Sequence, residues 1–256
     1  TPVKRDLSNS PRRTQSTSFG SLGAGEYPLD GCVRLIALTG LHRDATIQER
    51  YTHEVGVSEL QELASEIHHC ADCPLSAGRT KAVPGEGPED AELMFIGEGP
   101  GFNEDQQGRP FVGAAGNLLA ELLTSIGMTR SQVYITNMVK CRPPNNRDPL
   151  PEEINSCSKY LDRQIALIDP KVVVTLGRHS LSKFMPGGTI GKLHGKPSRR
   201  GNVTVYPVYH PAAGLRQQSL RTTLQQDFKI IPDLLRELVQ PIDKTESAPQ
   251  QLGMFN

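Results

Sequence analysis

The strongest constraint on the fold is an alternation of short apolar runs with longer segments of helical periodicity. Four runs are rich in apolar and β-branched residues, as strands buried on both faces of a sheet are: ELMFIGE, QVYITNMV, KVVVTLG and NVTVYPVYH. Helical segments lie between or after them. Strands that alternate with helices form a parallel sheet covered on both faces. The sequence therefore predicts an α/β fold, a three-layer α/β/α sandwich around a central, mainly parallel four-stranded sheet.

The predicted helices have apolar stripes and recognisable ends. In VSELQELASEIHHC, apolar residues recur at helical spacing from Val57 onwards. AAGNLLAELLTSIG carries a leucine-rich stripe and ends at Gly127, a residue typical of helix C-termini. PLPEEINSCSKYLDRQIALID begins with proline and acidic residues and stops before Pro170. RHSLSKFM predicts a shorter helix, and TTLQQDFKIIPDLLRELV predicts the last one.

These patterns place one folded domain at residues 57–239. Residues 1–56 are predicted to be a largely disordered N-terminal extension, because the first part is rich in Ser, Thr, Gly and Pro without any period. Residues 240–256 are predicted to be a C-terminal tail. No apolar stretch approaches the ~18 residues that a membrane span needs, so no membrane partner is expected. The N-terminus lacks the apolar core of a secretory signal, which favours an intracellular protein.

Charge is balanced overall but segregated along the chain. The 28 basic and 28 acidic residues cancel, which alone argues against a nucleic-acid partner. Residues 130–229, however, hold 16 Lys or Arg against 6 Asp or Glu, whereas residues 56–129 hold 3 against 12. A chain of this kind can present a basic face to a polyanion while staying neutral. Solvated charges scattered over helices remain the alternative.

Four of the five cysteines form two pairs. Cys70 and Cys73 are a C-x2-C pair at the end of a predicted helix, and Cys141 and Cys157 follow on the basic side. Without a secretory signal, disulfides are not expected. Four thiolates would suit either zinc or a cubane iron–sulfur cluster, and a redox-active or accidental C-x2-C stays open. Cys32 is expected to be an unliganded thiol.

The loop GEGPGFNEDQQGRPFVGAAG follows the first predicted strand and combines glycines with carboxylates and the isolated aromatic ring of Phe111. Gly97, Gly99 and Gly101 form G-x-G-x-G, but Phe102 stands where a dinucleotide fingerprint needs its third glycine. The loop has no P-loop lysine either. A nucleotide-cofactor enzyme is therefore disfavoured, and it would require cofactor binding by this loop.

Several motifs occur together in an order that is specific to one family. GEGPGFNEDQQGRPFVGAAG, VYITNMVKCRPPNNR, VYHPAAGLR and the two cysteine pairs closely resemble the family 4 uracil-DNA glycosylases, the iron–sulfur members of that superfamily. The resemblance runs from about Val57 to Val239. It implies an enzyme that hydrolyses the N-glycosidic bond of flipped-out deoxyuridine in DNA, releasing uracil and leaving an abasic site.

Physical arguments agree with this resemblance. Ligands of open parallel sheets gather at the carboxyl ends of the strands. Glu98, Asn137 and His210 lie at or near the ends of three predicted strands and are expected to converge on one crevice. A flipped base needs a ring to stack on and polar groups that read its edge. Phe111 is the expected ring, and Asn137 is expected to accept from uracil N3–H and donate to O4.

The resemblance also assigns the chemistry. Bond cleavage releases uracil as an anion, so His210 and backbone N–H groups of the glycine loop are expected to donate to uracil O2. Glu98 or Glu104 would position water or stabilise the cationic sugar. Gly99 occupies the place of the aspartate base that some other branches of the superfamily carry. Asn146, in the PPNNR loop, is grouped with the substrate-binding residues.

DNA contacts are expected on the basic half. By resemblance, PAAGLRQQSLR enters the minor groove, with Leu215 or Arg216 near the gap left by the flipped base. Phosphate contacts are predicted for Arg216 and four further residues, namely Lys196, Arg199, Arg200 and Arg221. The expected partner is uracil-containing DNA, single- or double-stranded. The protein is expected to be monomeric and associated with the nucleoid.

Family resemblance also moves the cysteines towards one cofactor. It implies that Cys70, Cys73, Cys141 and Cys157 bind a 4Fe–4S cluster in a structural role. Cys141 lies four residues beyond Asn137, so the cluster would brace the exit of the second strand. The competing hypothesis, from a different class, is a DNA-binding or damage-sensing iron–sulfur protein without turnover.

Overall fold

The computed structural model describes residues 57–239. The predicted N-terminal extension with Cys32 and the predicted C-terminal tail lie outside the described residues. Within them, no helix is both long enough and apolar enough to cross a membrane.

The centre of the domain is a five-stranded sheet. Its strands are β1 (Leu93–Gly97), β2 (Tyr134–Asn137), β3 (Val172–Leu176), β4 (Ser198–Arg200) and β5 (Val203–Val208). Their spatial order is β2-β1-β3-β5-β4, with every pair parallel except the antiparallel β4–β5 pair. The carboxyl ends of the four parallel strands therefore lie along one edge.

The prediction of four strands was wrong by one. β4 is a three-residue strand whose side chains are exposed or half-buried, and it joins β5 through a turn at Gly201, where φ is +57°. Its sequence, Ser-Arg-Arg, has no apolar alternation because it packs no side chain into the core. Hydrogen bonds to β5 form it, and charged side chains on an edge strand discourage further pairing.

Helices cover both faces of the sheet. They are α1 (Glu59–His69), α2 (Leu75–Gly78), α3 (Phe102–Gln107), α4 (Ala114–Ser125), α5 (Pro151–Ile168), α6 (Arg178–Phe184), α7 (Ile190–Leu193), α8 (Pro211–Arg216), α9 (Gln218–Phe228) and α10 (Ile231–Val239). The last predicted helix is in fact two, α9 and α10, because Pro232 fits only the first turn of a helix. Short 3-10 turns lie at Arg130–Gln132 and Pro144–Asn146.

Alternate residues of each strand face opposite layers. Phe95 packs towards leucines of α4 and stacks against Phe228 of α9, with ring centroids 5.8 Å apart. Its neighbour Ile96 belongs to the other core, with Leu161 of α5. Since both faces of the strands are buried, the predicted three-layer α/β/α sandwich is confirmed.

Candidate active site

A cleft of about 650 Å³ opens at the carboxyl edge of the sheet. Eight of the residues predicted to act in the site line it: Glu98, Gly99, Glu104, Phe111, Asn137, Asn146, His210 and Arg216. They come from loops after β1, β2 and β5, which are far apart in sequence. Parallel strand ends bring these loops together, as the sequence pattern indicated.

Asn137 lies at the end of β2 and is almost fully buried, at 1% exposure. Its Oδ1 is buried and has no hydrogen-bond partner among the described residues. A carbonyl oxygen in this state costs about 1–3 kcal/mol unless a donor reaches it. Gly97 packs against the same group, since a Cβ there would lie 2.4 Å from Oδ1 and 2.7 Å from the Phe111 ring. The side chain is therefore poised to accept a hydrogen bond from a ligand.

Phe111 is held in a strained turn against the cleft. Its φ of +51° is uncommon for a residue with a side chain, and the residue is 6% exposed. Glu104 Oε1 accepts hydrogen bonds from the Val112 and Gly113 amides at 2.9 and 2.8 Å. Arg130 Nη1 donates to the Phe111 carbonyl at 2.9 Å. These contacts fix the ring on the cleft wall, so Glu104 braces the turn as well as lining the cleft.

His210 caps α8 and faces Phe111, with ring centroids 5.7 Å apart. Its Nδ1 accepts a hydrogen bond from the Ala212 amide at 3.1 Å, which leaves the proton on Nε2. Burial lowers the pKa of His210 to about 4, with a smaller effect from Arg216 and an opposing one from Glu104. The ring is thus a neutral imidazole whose Nε2–H is free to donate.

Glu98 follows β1 directly and is 31% exposed. Burial raises the pKa of its carboxyl above the ordinary value; His179 and Arg178 oppose this rise, and Asp148 adds to it. His179 Nε2 lies 3.7 Å from a Glu98 carboxylate oxygen. Glu98 is thus a partly buried carboxylate whose ionisation depends on its neighbours.

The residues predicted to contact DNA separate into two groups. Arg216 lines the cleft. Asn146, which was predicted to bind substrate, lines it too, and its Oδ1 accepts from Arg142 Nε at 2.8 Å. Leu215 is 46% exposed on α8, outside the lining. Arg221 pairs with Glu121 at 2.6 Å on α9. The remaining three do not reach the cleft: Arg199 is on β4, and Lys196 and Arg200 line a separate cavity of about 660 Å³.

The four paired cysteines meet beside the loop that follows β2. Cys70, Cys73, Cys141 and Cys157 line one small cavity between α1 and α5. Two thiols already receive N–H donors: Arg79 Nη1 lies 3.2 Å from Cys141 Sγ, and the Lys140 amide lies 3.3 Å from Cys157 Sγ. Burial raises the pKa of the Cys157 thiol to about 11 and also raises that of Cys141. A cation in the cavity would be needed to keep these sulfurs as thiolates.

Comparison with known proteins gives this arrangement a family. The profile of the Uracil DNA glycosylase superfamily matches residues 84–235. The type-4 uracil-DNA glycosylase of Sulfurisphaera tokodaii is 51% identical over 188 residues, covering 70% of this chain and 86% of that protein. The chain belongs to the type-4 family of this superfamily. Two further type-4 members are 48% identical (Thermotoga maritima) and 47% identical (Archaeoglobus fulgidus), each covering 70% of this chain and 94% of the relative.

Sequence reasoning missed several residues that shape the site of this type-4 member. Lys140 is fully buried, and its Nζ donates to Thr136 Oγ1, the Asn137 carbonyl and Gln164 Oε1 at 2.6–2.7 Å. It therefore anchors the backbone that carries Asn137. A lysine next to a cysteine at a strand end gives no local signal of burial. Arg130 was missed for the same reason, because its partners lie 19 or more positions away.

Proposed function

We propose that this protein is a uracil-DNA glycosylase, which hydrolyses the N-glycosidic bond of a flipped-out deoxyuridine and leaves an abasic site in DNA. The observation that carries the proposal is the buried, unpartnered Oδ1 of Asn137 in a cleft shared with Phe111 and a neutral His210. The type-4 relatives carry the same activity in their names.

Uracil supplies the hydrogen-bond donor that Asn137 Oδ1 lacks. Its N3–H donates to Oδ1, and its O4 accepts from the Asn137 amide nitrogen, so both groups are satisfied in one planar contact. Cytosine presents an acceptor at N3 and a donor at C4, which mismatches both contacts. Each mismatch in a dry pocket costs about 1–3 kcal/mol. Stacking on Phe111 adds affinity for any flipped pyrimidine, so discrimination lies with Asn137.

His210 stabilises the leaving group. As the glycosidic bond lengthens, negative charge develops on uracil, and a preorganised donor in a site shielded from water lowers the barrier. The Nε2–H of His210 is such a donor, because Nδ1 is held by the Ala212 amide. A neutral donor keeps its proton while charge develops, so the ring acts by hydrogen bonding and uracil leaves as an anion.

Glu98 acts on the opposite charge. The sugar gains oxocarbenium character as uracil departs, and an ionised carboxylate at the cleft stabilises it or orients the attacking water. Glu104 is less suited to this work, since one of its oxygens already accepts two backbone hydrogen bonds. We therefore assign the main carboxylate role to Glu98.

The cysteine cavity is proposed to bind a 4Fe–4S cluster through Cys70, Cys73, Cys141 and Cys157. Tetrahedral zinc at 2.3 Å from each thiolate would place the sulfurs about 3.8 Å apart. Within residues 57–239, no three of these sulfurs lie within 4.8 Å of one another, a spread that favours a larger cluster. When bound, the cluster supplies a rigid cross-link between α1, the loop after β2, and α5. The catalytic groups then act without a redox step.

The function is tested by uracil release from labelled oligonucleotides, followed by alkaline cleavage of the abasic site. Asn137→Ala should lower the single-turnover rate by about 100-fold or more, because two contacts of about 1–3 kcal/mol are lost. Its DNA affinity should stay near that of the wild type, since phosphate contacts supply most of that affinity. Asn137→Asp should shift the preference towards cytosine, whose amino group a carboxylate accepts.

Asn202→Ala is the matched control, because Asn202 lies in the turn before β5, at the end of the sheet opposite the cleft. It should release uracil at the wild-type rate. Full activity of Asn137→Ala with an unchanged ratio of uracil to cytosine excision would remove Asn137 from base recognition. A wild-type protein that binds uracil-containing DNA without releasing uracil would instead be a non-catalytic sensor.

The cluster is tested on full-length protein purified without oxygen. Bound 4Fe–4S should give about four iron and four sulfide per chain and broad absorbance near ~400 nm. Cys141→Ser should lose the absorbance and reduce soluble yield, whereas Cys32→Ser, outside the described residues, should keep both. One zinc and no iron in the wild type would contradict the cluster, and loss of iron in Cys32→Ser would contradict the ligand set.

A further inference from the structure

A compact set of charged side chains stands behind Glu98 at the cleft. Carboxylate oxygens of Glu98 and Asp148 and a ring nitrogen of His179 all lie within 4.8 Å of one another. The three residues come from different places: the end of β1, the loop before α5, and the first turn of α6. His179 Nε2 lies 3.3 Å from Asp148 Oδ2 and 3.7 Å from Glu98 Oε2. The imidazole therefore stands between the two carboxylates.

Arg178 completes the set. Its Nη2 pairs with Asp148, and its Nε lies 2.9 Å from His179 Nε2. The Arg178 guanidinium thus places a positive charge beside the carboxylates of Asp148 and Glu98.

We propose that His179 and Asp148 are positioning residues that set the orientation and ionisation of Glu98. His179 and Arg178 favour the carboxylate form, and Asp148 opposes it through like charge. The inference rests on the proposed function, because it is Glu98 as an ionised carboxylate at the reacting sugar that this network serves.

The groups around Glu98 determine how strongly its pKa responds to His179 and Asp148. Burial is the largest influence on its pKa and raises it; His179 comes next and lowers it, before Asp148 and Arg178. Other ionisable groups of the cleft are Glu104, Arg147, His210 and Arg216. His179 is 21% exposed, so its interaction with Glu98 is only partly screened by water. Bound DNA would displace more water and strengthen each of these interactions.

The test is the pH dependence of single-turnover uracil release. An ionised Glu98 gives activity above its pKa, so the rate falls on the acid side, and Glu98→Gln should lose this limb. Asp148→Asn should move the limb to lower pH, and His179→Ala should move it to higher pH, each by about one pH unit for charges at this distance. His179→Gln restores a hydrogen-bonding amide without charge, so it should recover rate above the limb while the limb stays displaced.

Dissociation constants for DNA carrying an abasic analogue should stay within about twofold of the wild type for the Asp148 and His179 variants, since neither is assigned a phosphate contact.

His194→Ala is the matched control. His194 also pairs with an aspartate, Asp227 at 3.0 Å, and is similarly half-buried, but it does not line the cleft. It should leave the acid limb in place. A limb that does not move in the His179 and Asp148 variants, or moves in the same direction in both, would overturn the proposal.

A second readout does not depend on turnover. Titration of the 13C-labelled Glu98 carboxyl by NMR, in protein without DNA, should show the same opposite shifts in the two variants. A wild type that releases no uracil would contradict the proposed function. The NMR titration would still decide whether His179 and Asp148 control Glu98.

Discussion

The single residues of this site are polar groups whose state is set by burial. Asn137 has a buried acceptor without a partner, and His210 has one ring nitrogen occupied by a backbone amide. Each is prepared for one partner before any ligand arrives, so little reorganisation is needed during the reaction.

His210 allows a prediction about pH. Its pKa of about 4 lies below the ~6.5 of an exposed histidine, so the ring stays neutral as pH falls from 8 to about 5.5. His210→Ala should lower the single-turnover rate by about 100-fold, the cost of losing one preorganised donor. The ratio of wild-type to variant rates should be constant over that pH range, because the Glu98 limb cancels in it. If the ratio decreases as the pH is lowered below about 6.5, the ring protonates in that range, which would contradict the prediction.

At the scale of elements, the turn between α3 and α4 presents the ring of Phe111, the proposed stacking residue, to the cleft. Gly116, in the first turn of α4, lets the chain pass close to Phe111: a Cβ at Gly116 would lie 1.8 Å from the Phe111 carbonyl oxygen. Glu104 and Arg130 hold the same turn from either side through backbone hydrogen bonds. The strained φ of Phe111 is therefore maintained by its surroundings.

Gly116→Ala should displace this turn. We expect a loss of stability of about 1–3 kcal/mol from overpacking, larger than the ~1 kcal/mol that alanine gains in a helix. Uracil release should fall with it, because the ring moves, while DNA affinity should change little. Gly78→Ala is the control, since a Cβ there meets nothing within 4 Å. Thermal melts and single-turnover rates measure both effects; equal behaviour of the two variants would contradict this account.

At the scale of the whole molecule, the acidic and basic segments of the sequence are joined by ion pairs and are not fully separated in space. Several ion pairs join the acidic segment to the basic one, among them Arg163–Glu66 at 2.5 Å, Arg221–Glu121 at 2.6 Å, and Arg130–Glu86. Folding therefore neutralises part of the basic excess. Arg216 lines the cleft and makes no salt bridge with a carboxylate within residues 57–239. The structure thus separates two arginines that the sequence had grouped together.

This difference predicts distinct salt dependences. Arg216→Ala should reduce the slope of log Kd against log salt concentration by about 0.9, the share of one phosphate contact. Arg221→Ala should leave the slope nearly unchanged, because its charge is already paired with Glu121. Fluorescence anisotropy with a duplex containing an abasic analogue measures both. Equal slopes for the two variants would show that Arg216 contacts no phosphate.

The parts of this fold that could be predicted are those formed by local sequence patterns. Runs such as KVVVTLG and the helix that starts at Pro151 carry local periodicity, so strands, helices and their layers were predictable. β4 was not, because backbone pairing with β5 forms it and its side chains show no pattern. Asn137, Phe111, His210 and the four cysteines were predicted as site residues because several short motifs occur in a fixed order. The structure brings the first three to the cleft and the cysteines to one small cavity.

The sequence by itself thus determined the α/β architecture, the family and the residues that meet at the cleft. Only the tertiary structure decided their states: the tautomer of His210, the unpartnered oxygen of Asn137, and the buried Lys140 beneath it. It also placed His179 and Asp148 beside Glu98. Such features depend on burial and on contacts between distant segments. Local periodicity reports neither burial nor these contacts, because both arise only when the chain has folded.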